Sequence, residues 1–526
     1  MSIVKLSLFW KGFIFVLAAV ILVGGVVFAN RILAGDAFTK EEAQHALYGY
    51  WLARDIQTLN LSAFCYDTQR QMVWPFLHSW LLSIFFLIFG TSYVSARLLS
   101  LFLFFGTVIL IYLLSDKLCD EKGWKVGIVA SLMALTSPMM IRFATENMIE
   151  ALGAFLFIAA AYLYMHSEER KITIEYLFLA VLIGLSIYTS YLYAYLLIPA
   201  FLVMTLVKLG PLTREAVRLK KLGEEHAVHF IWWSYRKAIV LGVILVFCGL
   251  WFSVSFSRKV SLLITSIFRS SGGVVVPGIW QNLFYYPKVI ISQVSFSPWL
   301  GALVLASLLL PNIIFHYKQL KRVYSYVLTV ILLLTLTISV KAPQMIFIIV
   351  PLLFIIAAAV LVYLFEVIRQ NNPRGALAFL LILLLPAAVS LPQAYAAWFP
   401  ERQPQNLVNV MEFFELQVPL DASIKTELNL VRLGPETIRF HLRKHKDVLL
   451  SDLSIIDGEM LDNAAYYLTI ELDPGSIYQK DVQDDSLLRW NDWLMVKQMN
   501  EEITLYSSRR FNSIDLTAKI YKPVLK

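Results

Sequence analysis

The sequence predicts an α-helical polytopic membrane protein with about 11 transmembrane helices and a small C-terminal α/β domain outside the membrane. Three observations support this prediction: 58% of the 526 residues are hydrophobic, only 16% are charged, and the mean hydropathy is +0.67. Soluble domains contain about 45–50% apolar and about 25% charged residues. The composition therefore excludes an ordinary cytosolic enzyme and a disordered chain.

The transmembrane part occupies residues 1–396, because apolar runs of roughly 17–25 residues, long enough to cross a bilayer, recur up to that point. The first run is too long for the core of a cleaved signal peptide, which spans about 7–15 residues, so we expect it to stay in the protein. The predicted spans lie near 12–30, 93–115, 124–142, 147–166, 173–190, 191–208, 238–256, 298–315, 323–340, 344–366 and 376–393.

The distribution of Lys and Arg predicts which loops face the cytoplasm, since cytoplasmic loops are enriched in both residues. Five basic regions share one side only if the apolar segment 75–90 does not cross the membrane; they are the N-terminus, 170–171, 208–237, 318–322 and 369–374. We therefore place 75–90 as an interfacial helix within an outer loop over 31–92. The N-terminus is then cytoplasmic, and the protein is a multi-pass protein of the plasma (inner) membrane.

The tail, residues 397–526, lies outside the membrane in this topology and has a different composition. Charged residues return, and strand-like runs alternate with helical ones, which is typical of an α/β domain. It contains no nucleotide-binding glycine fingerprint. We expect helices over 406–417 and 435–444 and strands over 423–428, 447–450, 465–472, 493–499 and 503–507. The net charge of +8 is accounted for by cytoplasmic loops, so no nucleic-acid partner is indicated.

Two adjacent carboxylates, Glu41 and Glu42, follow directly after the first span. Acids at a membrane boundary are costly unless they are solvated, paired or functional. Thr39 and Glu42 also fit the T-x-x-E capping box that begins a helix. Both interpretations stay open, because a capped helix start also holds a carboxylate rigidly.

A second acid, Glu146, is expected at the turn between two spans on the same outer face. The simpler alternative is an ordinary solvated turn in which Glu146 pairs with Arg142 four residues earlier. Two acids on one side of the membrane, both at helix ends, favour a functional interpretation.

Cations on the outer face are few, and Lys341 stands alone at a tight outer turn. Such a cation suits a phosphate group, although a lysine that snorkels to the interface is equally compatible with the position. Lys288 lies in the third outer loop beside Tyr285 and Tyr286. The tyrosines also fit the aromatic belt of a membrane interface.

These residues, in this order, resemble the polyprenyl-phosphate-sugar-dependent glycosyltransferases of the GT-C superfamily. The nearest in appearance are the protein O-mannosyltransferase-like enzymes and the lipid A aminoarabinose transferase. Glu41-Glu42 stands where the family carries Asp-Glu, and Glu146 corresponds to its second acid. Further similar segments are 87–90 and 96–98 after the interfacial helix, 285–300 at the third loop, and 339–343 at the phosphate-side lysine turn.

Some positions depart from the family pattern. Glu41 replaces an aspartate, which moves the carboxylate by one methylene. Trp74 stands where a basic residue is common, just before the proline of the interfacial helix. Thr189-Ser190, after Gly184-Leu185 of the fifth span, stands where the family has Thr-Lys.

The resemblance implies transfer of a hexose or pentose from a polyprenyl-phosphate donor to an acceptor hydroxyl on the extracytoplasmic face, with inversion at the sugar carbon. The acceptor would be a glycan, a lipid or a protein. Glu41 would be the general base, with Glu42 and Glu146 as further catalytic candidates. Lys341 would hold the donor phosphate, and the other substrate-binding candidates are Arg142, His45, Tyr285, Tyr286, Lys288 and Gln344. No cofactor is fixed, and a divalent metal is left open.

Two other functions are compatible with the sequence. A transporter or flippase of lipid-linked glycans would place ionisable residues or broken helices at mid-membrane, often with internal repeats. The sequence has few charges inside its predicted spans and no repeat. A non-catalytic assembly subunit stays open because of the departure at Glu41.

Overall fold

The computed structural model describes most of the chain. The described residues are 3–71, 74–167, 173–221, 261, 264, 274–275, 278–338, 340–390, 392, 395, 399, 406–428, 430, 432–444, 447–450, 464–474, 476, 478–479 and 486–524. The predicted span over 238–256 lies outside the described residues, as does the second half of the basic region 208–237.

Helices dominate the described part of the chain up to residue 390. In chain order they are α1 (Ile3–Val27), α2 (Lys40–Gln57), α3 (Leu61–Gln69), α4 (Leu77–Phe89), α5 (Tyr93–Leu118), α6 (Gly123–Thr136), α7 (Pro138–Thr145), α8 (Ile149–Ser167), α9 (Thr173–Ile187), α10 (Tyr191–Lys221), α11 (Ile279–Val289), α12 (Pro298–Ser307), α13 (Pro311–Ile314), α14 (Leu320–Leu336), α15 (Val350–Asn371) and α16 (Pro373–Val389). A two-residue ladder pairs strand β1 (Val274–Val275) with β2 (Val340–Lys341).

Four helices within the described ranges are long and apolar enough to cross a membrane; they are Ser7–Ile32, Tyr93–Leu118, Ile149–His166 and Pro343–Asn371. The pair Asp120–Thr136 and Pro138–Thr145, bent by 63°, adds a fifth if it forms one span. The count of eleven stays a prediction. Helix α4 has 13 residues, about 20 Å at 1.5 Å per residue, which is short of a hydrocarbon core of about 30 Å. This length supports its predicted interfacial placement.

The bend between α6 and α7 occurs at Ser137, which precedes Pro138. A proline disfavours helical geometry in the residue before it and is well tolerated at the first position of a new helix. Ser137 ends α6 in an extended conformation, and its hydroxyl caps α7 by accepting from the amide of Met140 at 3.2 Å. The same hydroxyl donates to the carbonyl of Val294. The Ser137 hydroxyl thus fixes the bend through hydrogen bonds to α7 and to the backbone at Val294.

The candidate span Pro343–Asn371, which contains α15, is the most buried of the four, with 94% of its most apolar window buried inside the structure. Near its end, the carboxylate of Glu366 is 3% exposed and pairs with Lys125 of α6 and with Arg369. A buried carboxylate needs such partners. This pairing ties α6 to α15 at the end of the bundle that carries the predicted cytoplasmic loops.

The tail contains a five-stranded sheet of order β4-β3-β5-β7-β6, in which β3 pairs in parallel with β4 and β5 and the remaining pairs are antiparallel. Its elements are α17 (Asn406–Gln417), β3 (Ser423–Thr426), α18 (Pro435–His441), β4 (Asp447–Leu450), β5 (Tyr466–Leu472), α19 (Ser486–Met499), β6 (Ile503–Phe511) and β7 (Leu516–Pro523).

The strand predicted over 493–499 is wrong, because these residues form the end of helix α19. Leu487, Trp490 and Leu494 are each at most 4% exposed and recur at three- and four-residue spacing. That spacing is the period of a helix with one buried face, and a strand would alternate with a period of two.

The chain divides into two compact units, and each unit is built from three segments that alternate along the sequence. The first unit comprises Met1–Phe28, Cys65–His78 and Arg97–Phe399. The second comprises Ala29–Phe64, Ser79–Ala96 and Pro400–Lys526. Two pieces of the predicted first outer loop are therefore folded together with the tail.

Candidate functional site

The predicted first outer loop presents its two acids in different ways. Helix α2 begins with the predicted capping box: the amide of Thr39 donates to Oε2 of Glu42 at 3.0 Å, and the amide of Glu42 donates to Oγ1 of Thr39 at 3.4 Å. Glu42 is 2% exposed. Its carboxylate serves the helix N-terminus, where partial positive charge stabilises an anion. The capping prediction is confirmed.

Glu41 precedes Glu42 by one residue and therefore points about 100° away around the helix. It is partly exposed and takes no part in the cap. Its position in the first turn favours the ionised form through the same helix dipole. Of the two acids, Glu41 is the one that a solvent-borne substrate can reach.

His45 lies one turn beyond Glu42 and is 2% exposed. Burial lowers the pKa of His45 to about 4, and the negative charge of Glu42 opposes that shift. The imidazole is therefore neutral near pH 7. A neutral, enclosed imidazole contributes no positive charge for a phosphate and instead packs the inner face of α2.

Glu146 lies at the end of α7, where its carboxylate accepts a hydrogen bond from Nε of Arg142 at 3.0 Å. The predicted ion pair is therefore confirmed. The two side chains are 62% (Arg142) and 27% (Glu146) exposed. Exposed pairs of this kind contribute about 0–1 kcal/mol, so either partner can turn to a substrate at little cost.

Lys341 is fully buried, although the sequence places it at an outer turn. Its ammonium donates to the carbonyl oxygens of Leu334 and Thr335, the second at 2.9 Å, in the last turn of α14. It also lies 5.6 Å from the ring centroid of Tyr286. Burial lowers the pKa of Lys341 to about 8. In this position the side chain caps α14, where a cation complements the carbonyl end of the helix.

The third loop meets the Lys341 turn through Tyr286. This side chain is fully buried, and its hydroxyl donates to the sulfur of Met345 at 3.5 Å. Tyr285 and Gln344 are partly exposed, and Lys288 is exposed on the other side of α11. The structure thus brings Tyr286 and Lys341 together and leaves Lys288 apart from them.

Glu41, Glu42 and His45 belong to the second compact unit, and the other predicted site residues belong to the first. The prediction that Glu41 and Glu146 serve one cavity therefore stays a prediction. Within the described residues, no group of three or more His, Cys, Asp or Glu side chains is arranged to hold a metal ion.

Comparisons with known proteins identify the fold. The model of the family described as dolichyl-phosphate-mannose-protein mannosyltransferase matches residues 74–221. ArnT from Cupriavidus metallidurans bound to undecaprenyl phosphate superposes with a TM-score of 0.59 at 13% identity, covering 97% of this chain and 98% of that chain. The chain has the same fold as ArnT. This fold, together with the four helices of the described ranges that are long and apolar enough to cross a membrane, indicates a multi-pass membrane protein.

A second solved structure has the same fold. The archaeal oligosaccharyltransferase AglB from Archaeoglobus fulgidus, in complex with an inhibitory peptide and a dolichol-phosphate, gives a TM-score of 0.53 at 11% identity. The match covers 97% of this chain and 74% of AglB. No curated protein matches the sequence. At such identities the likeness concerns the fold.

A second acid, Glu150, lies close to Glu146 in the sequence and was not among the predicted site residues. Glu150 is only 8% exposed in the first turn of α8, and Asn147 before it is fully buried. A charged residue inside the apolar run 147–166 was the available signal, because ionisable groups within spans are rare and often functional. Glu150 is therefore a further candidate at the second outer turn.

Proposed function

We propose that the chain is an integral membrane glycosyltransferase that moves a sugar from a polyprenyl-phosphate donor to an acceptor hydroxyl on the extracytoplasmic face. The observation that carries this proposal is the likeness to ArnT, a protein solved with undecaprenyl phosphate, over 97% of this chain. The family match over residues 74–221 supports a lipid-phosphate sugar as donor. The acceptor is a glycan, a lipid or a protein, and the donor sugar is a hexose or pentose.

In the proposed reaction, the carboxylate of Glu41 takes the proton from the acceptor hydroxyl. The acceptor oxygen attacks the sugar carbon that carries the phosphate, and the bond from that carbon to the phosphate oxygen breaks. Attack opposite the leaving group inverts the configuration, and polyprenyl phosphate leaves with the electron pair. Glu41 is preferred to Glu42 because it is partly exposed, whereas Glu42 is committed to the helix cap.

The second outer turn and the Lys341 turn would supply the remaining contacts. Glu146 and Arg142 would orient the acceptor, since an exposed pair separates easily. Lys341 would bind the donor phosphate. An ammonium has three donors, and two of those on Lys341 go to the carbonyls of Leu334 and Thr335, which leaves one for the anion.

The orientation belongs to the proposal. The N-terminus lies in the cytoplasm, the tail lies outside, and the protein resides in the plasma (inner) membrane. The support is the distribution of basic regions and the short length of α4.

The experiment compares Glu41→Gln with its neighbour Glu42→Gln in proteoliposomes supplied with lipid-phosphate sugars and acceptor extracts. General-base catalysis contributes about 10²–10⁴-fold, so Glu41→Gln should lose turnover on that order while still binding donor. Glu42→Gln should keep turnover and the capping hydrogen bond, because glutamine also fits this position of a capping box, and should lose only about 0.3–1 kcal/mol through the missing charge at the helix N-terminus. Near-normal turnover of Glu41→Gln would refute this role. Movement of lipid-linked glycan without a new glycosidic bond would instead indicate a flippase.

A further inference from the structure

The segment that leads into α2 is held by the tail through a buried carboxylate. Asp36 is 4% exposed. Its Oδ1 accepts from the amides of Ala37 at 2.8 Å and Val408 at 3.4 Å, and its Oδ2 accepts from the hydroxyl of Tyr478 at 3.4 Å. All of these residues belong to the second compact unit. Asp36 therefore joins the first outer loop to two separate parts of the tail.

The contact with Val408 is made in the first turn of α17. The first amides of a helix have no partner within the helix, and a carboxylate placed there is stabilised by the helix dipole. Arg432 adds a favourable positive charge. Burial acts in the opposite direction and raises the pKa of Asp36. A side chain from one end of the chain thus caps a helix near the other end.

The next two residues continue the contact. Ala37 is 1% exposed and belongs to the apolar core of the tail. Phe38 is fully buried against Tyr93 and Phe440, with ring centroids 4.5 and 5.1 Å away, and its carbonyl accepts from Oγ1 of Thr437 at 3.1 Å. Helix α2, which begins two residues later, packs along α18. The start of α2 is therefore fixed from its outer side by the tail.

We propose that Asp36 is a positioning residue through which the tail sets the placement of Glu41. This inference rests on the proposed role of Glu41 as general base. Asp36 precedes Glu41 by five residues, with only Ala37, Phe38, Thr39 and Lys40 between them. Misplacement of a reacting group by about 1 Å can cost about 10²-fold in rate, so a base at the start of a helix needs a fixed helix start.

Apolar contacts alone would fasten the loop to the tail without fixing its direction. A buried carboxylate is costly unless hydrogen bonds satisfy it, and those bonds are directional. Asp36 accepts such bonds from an amide of α17 and from the hydroxyl of Tyr478, which lies after β5. These bonds fix the orientation of the loop on the tail as well as its distance from the tail.

The test compares Asp36→Ala with Asp421→Ala, which removes an exposed acid of the tail. Hydrogen exchange of amides in 40–57 is measured in micelles with the full-length protein, and transfer is measured in proteoliposomes. We expect exchange at the start of α2 to accelerate at least tenfold in Asp36→Ala, and kcat to fall about 10²-fold with KM nearly unchanged. Asp36→Asn keeps one acceptor oxygen and should recover part of both losses. Asp421→Ala should match the wild type.

If Asp36→Ala does not fold, Tyr478→Phe provides the same comparison, because it removes one hydrogen bond and leaves the carboxylate in place. Wild-type exchange in α2, or faster exchange with unchanged kcat, would overturn the inference even where Glu41→Gln is inactive. An active Glu41→Gln enzyme would instead overturn the proposed function, and the exchange data would then decide the contact between loop and tail independently.

Discussion

The buried imidazole of His45 predicts a loss of stability in mild acid. The pKa of His45 is about 4 in the folded protein and about 6.5 in an unfolded chain. Between these values the unfolded state binds more protons, so stability falls as the pH decreases. The part of the free energy of unfolding that depends on His45 is fully present above about pH 6.5 and is lost as the pH falls toward 4. A shift of about 2.5 units, at 1.36 kcal/mol each, corresponds to about 3 kcal/mol, of which about 2 kcal/mol is lost by pH 5.

The measurement is the free energy of unfolding in mixed micelles at pH 7.5 and pH 5 for the wild type and for His45→Gln, which is neutral at both values. The wild type should lose about 2 kcal/mol more than the variant between the two conditions. His316→Gln is the matched control, since His316 is exposed. Equal losses in the wild type and His45→Gln would refute the assignment of a desolvated neutral imidazole.

Two further predictions concern the Lys341 turn and the topology. Lys341→Met should weaken donor binding and turnover together if the ammonium holds the phosphate, because the phosphate is charged in both the ground and transition states. Lys318→Met is the control, since Lys318 is exposed and is not a candidate site residue. Lower thermal stability with unchanged donor affinity would leave Lys341 as a helix cap only. Single cysteines introduced over 210–235 should resist impermeant reagents in intact cells and react after permeabilisation, whereas labelling from outside would contradict the proposed orientation.

The apolar helices could be predicted from the sequence because length and hydropathy alone define them. The spans predicted near 93–115 and 147–166 correspond to α5 and α8 within a few residues. The span predicted over 124–142 is two helices with a bend between them in the structure. Hydropathy does not reveal this bend, because it is continuous over 123–145 and only the Ser137-Pro138 pair indicates a break. In the tail, the helix over 406–417 and the strand over 447–450 were predicted with their observed bounds.

The candidate site was predictable only where its interactions are local. The capping box and the Arg142–Glu146 pair involve residues three and four apart, so spacing alone suggests them. The burial of Lys341 depends on the folding of its turn back onto α14, and the cap that Asp36 provides depends on a helix 372 residues away. No periodicity in a single sequence encodes a contact between residues 372 positions apart, and none specifies the turn that brings Lys341 to carbonyl oxygens six and seven residues before it.

The hydrogen bond between Asp36 and Val408 can form only late in the synthesis of the chain, because its two residues are 372 positions apart. At roughly 5–20 residues per second, a ribosome needs about 20–75 s to make the chain between them. During that interval Ala37 and Phe38 lack their apolar neighbours from the tail, because those residues have not yet been synthesised. The segment around Ala37 and Phe38 therefore reaches its final packing only after nearly the whole protein has been translated. A chain truncated before the tail would leave it in that unfinished state.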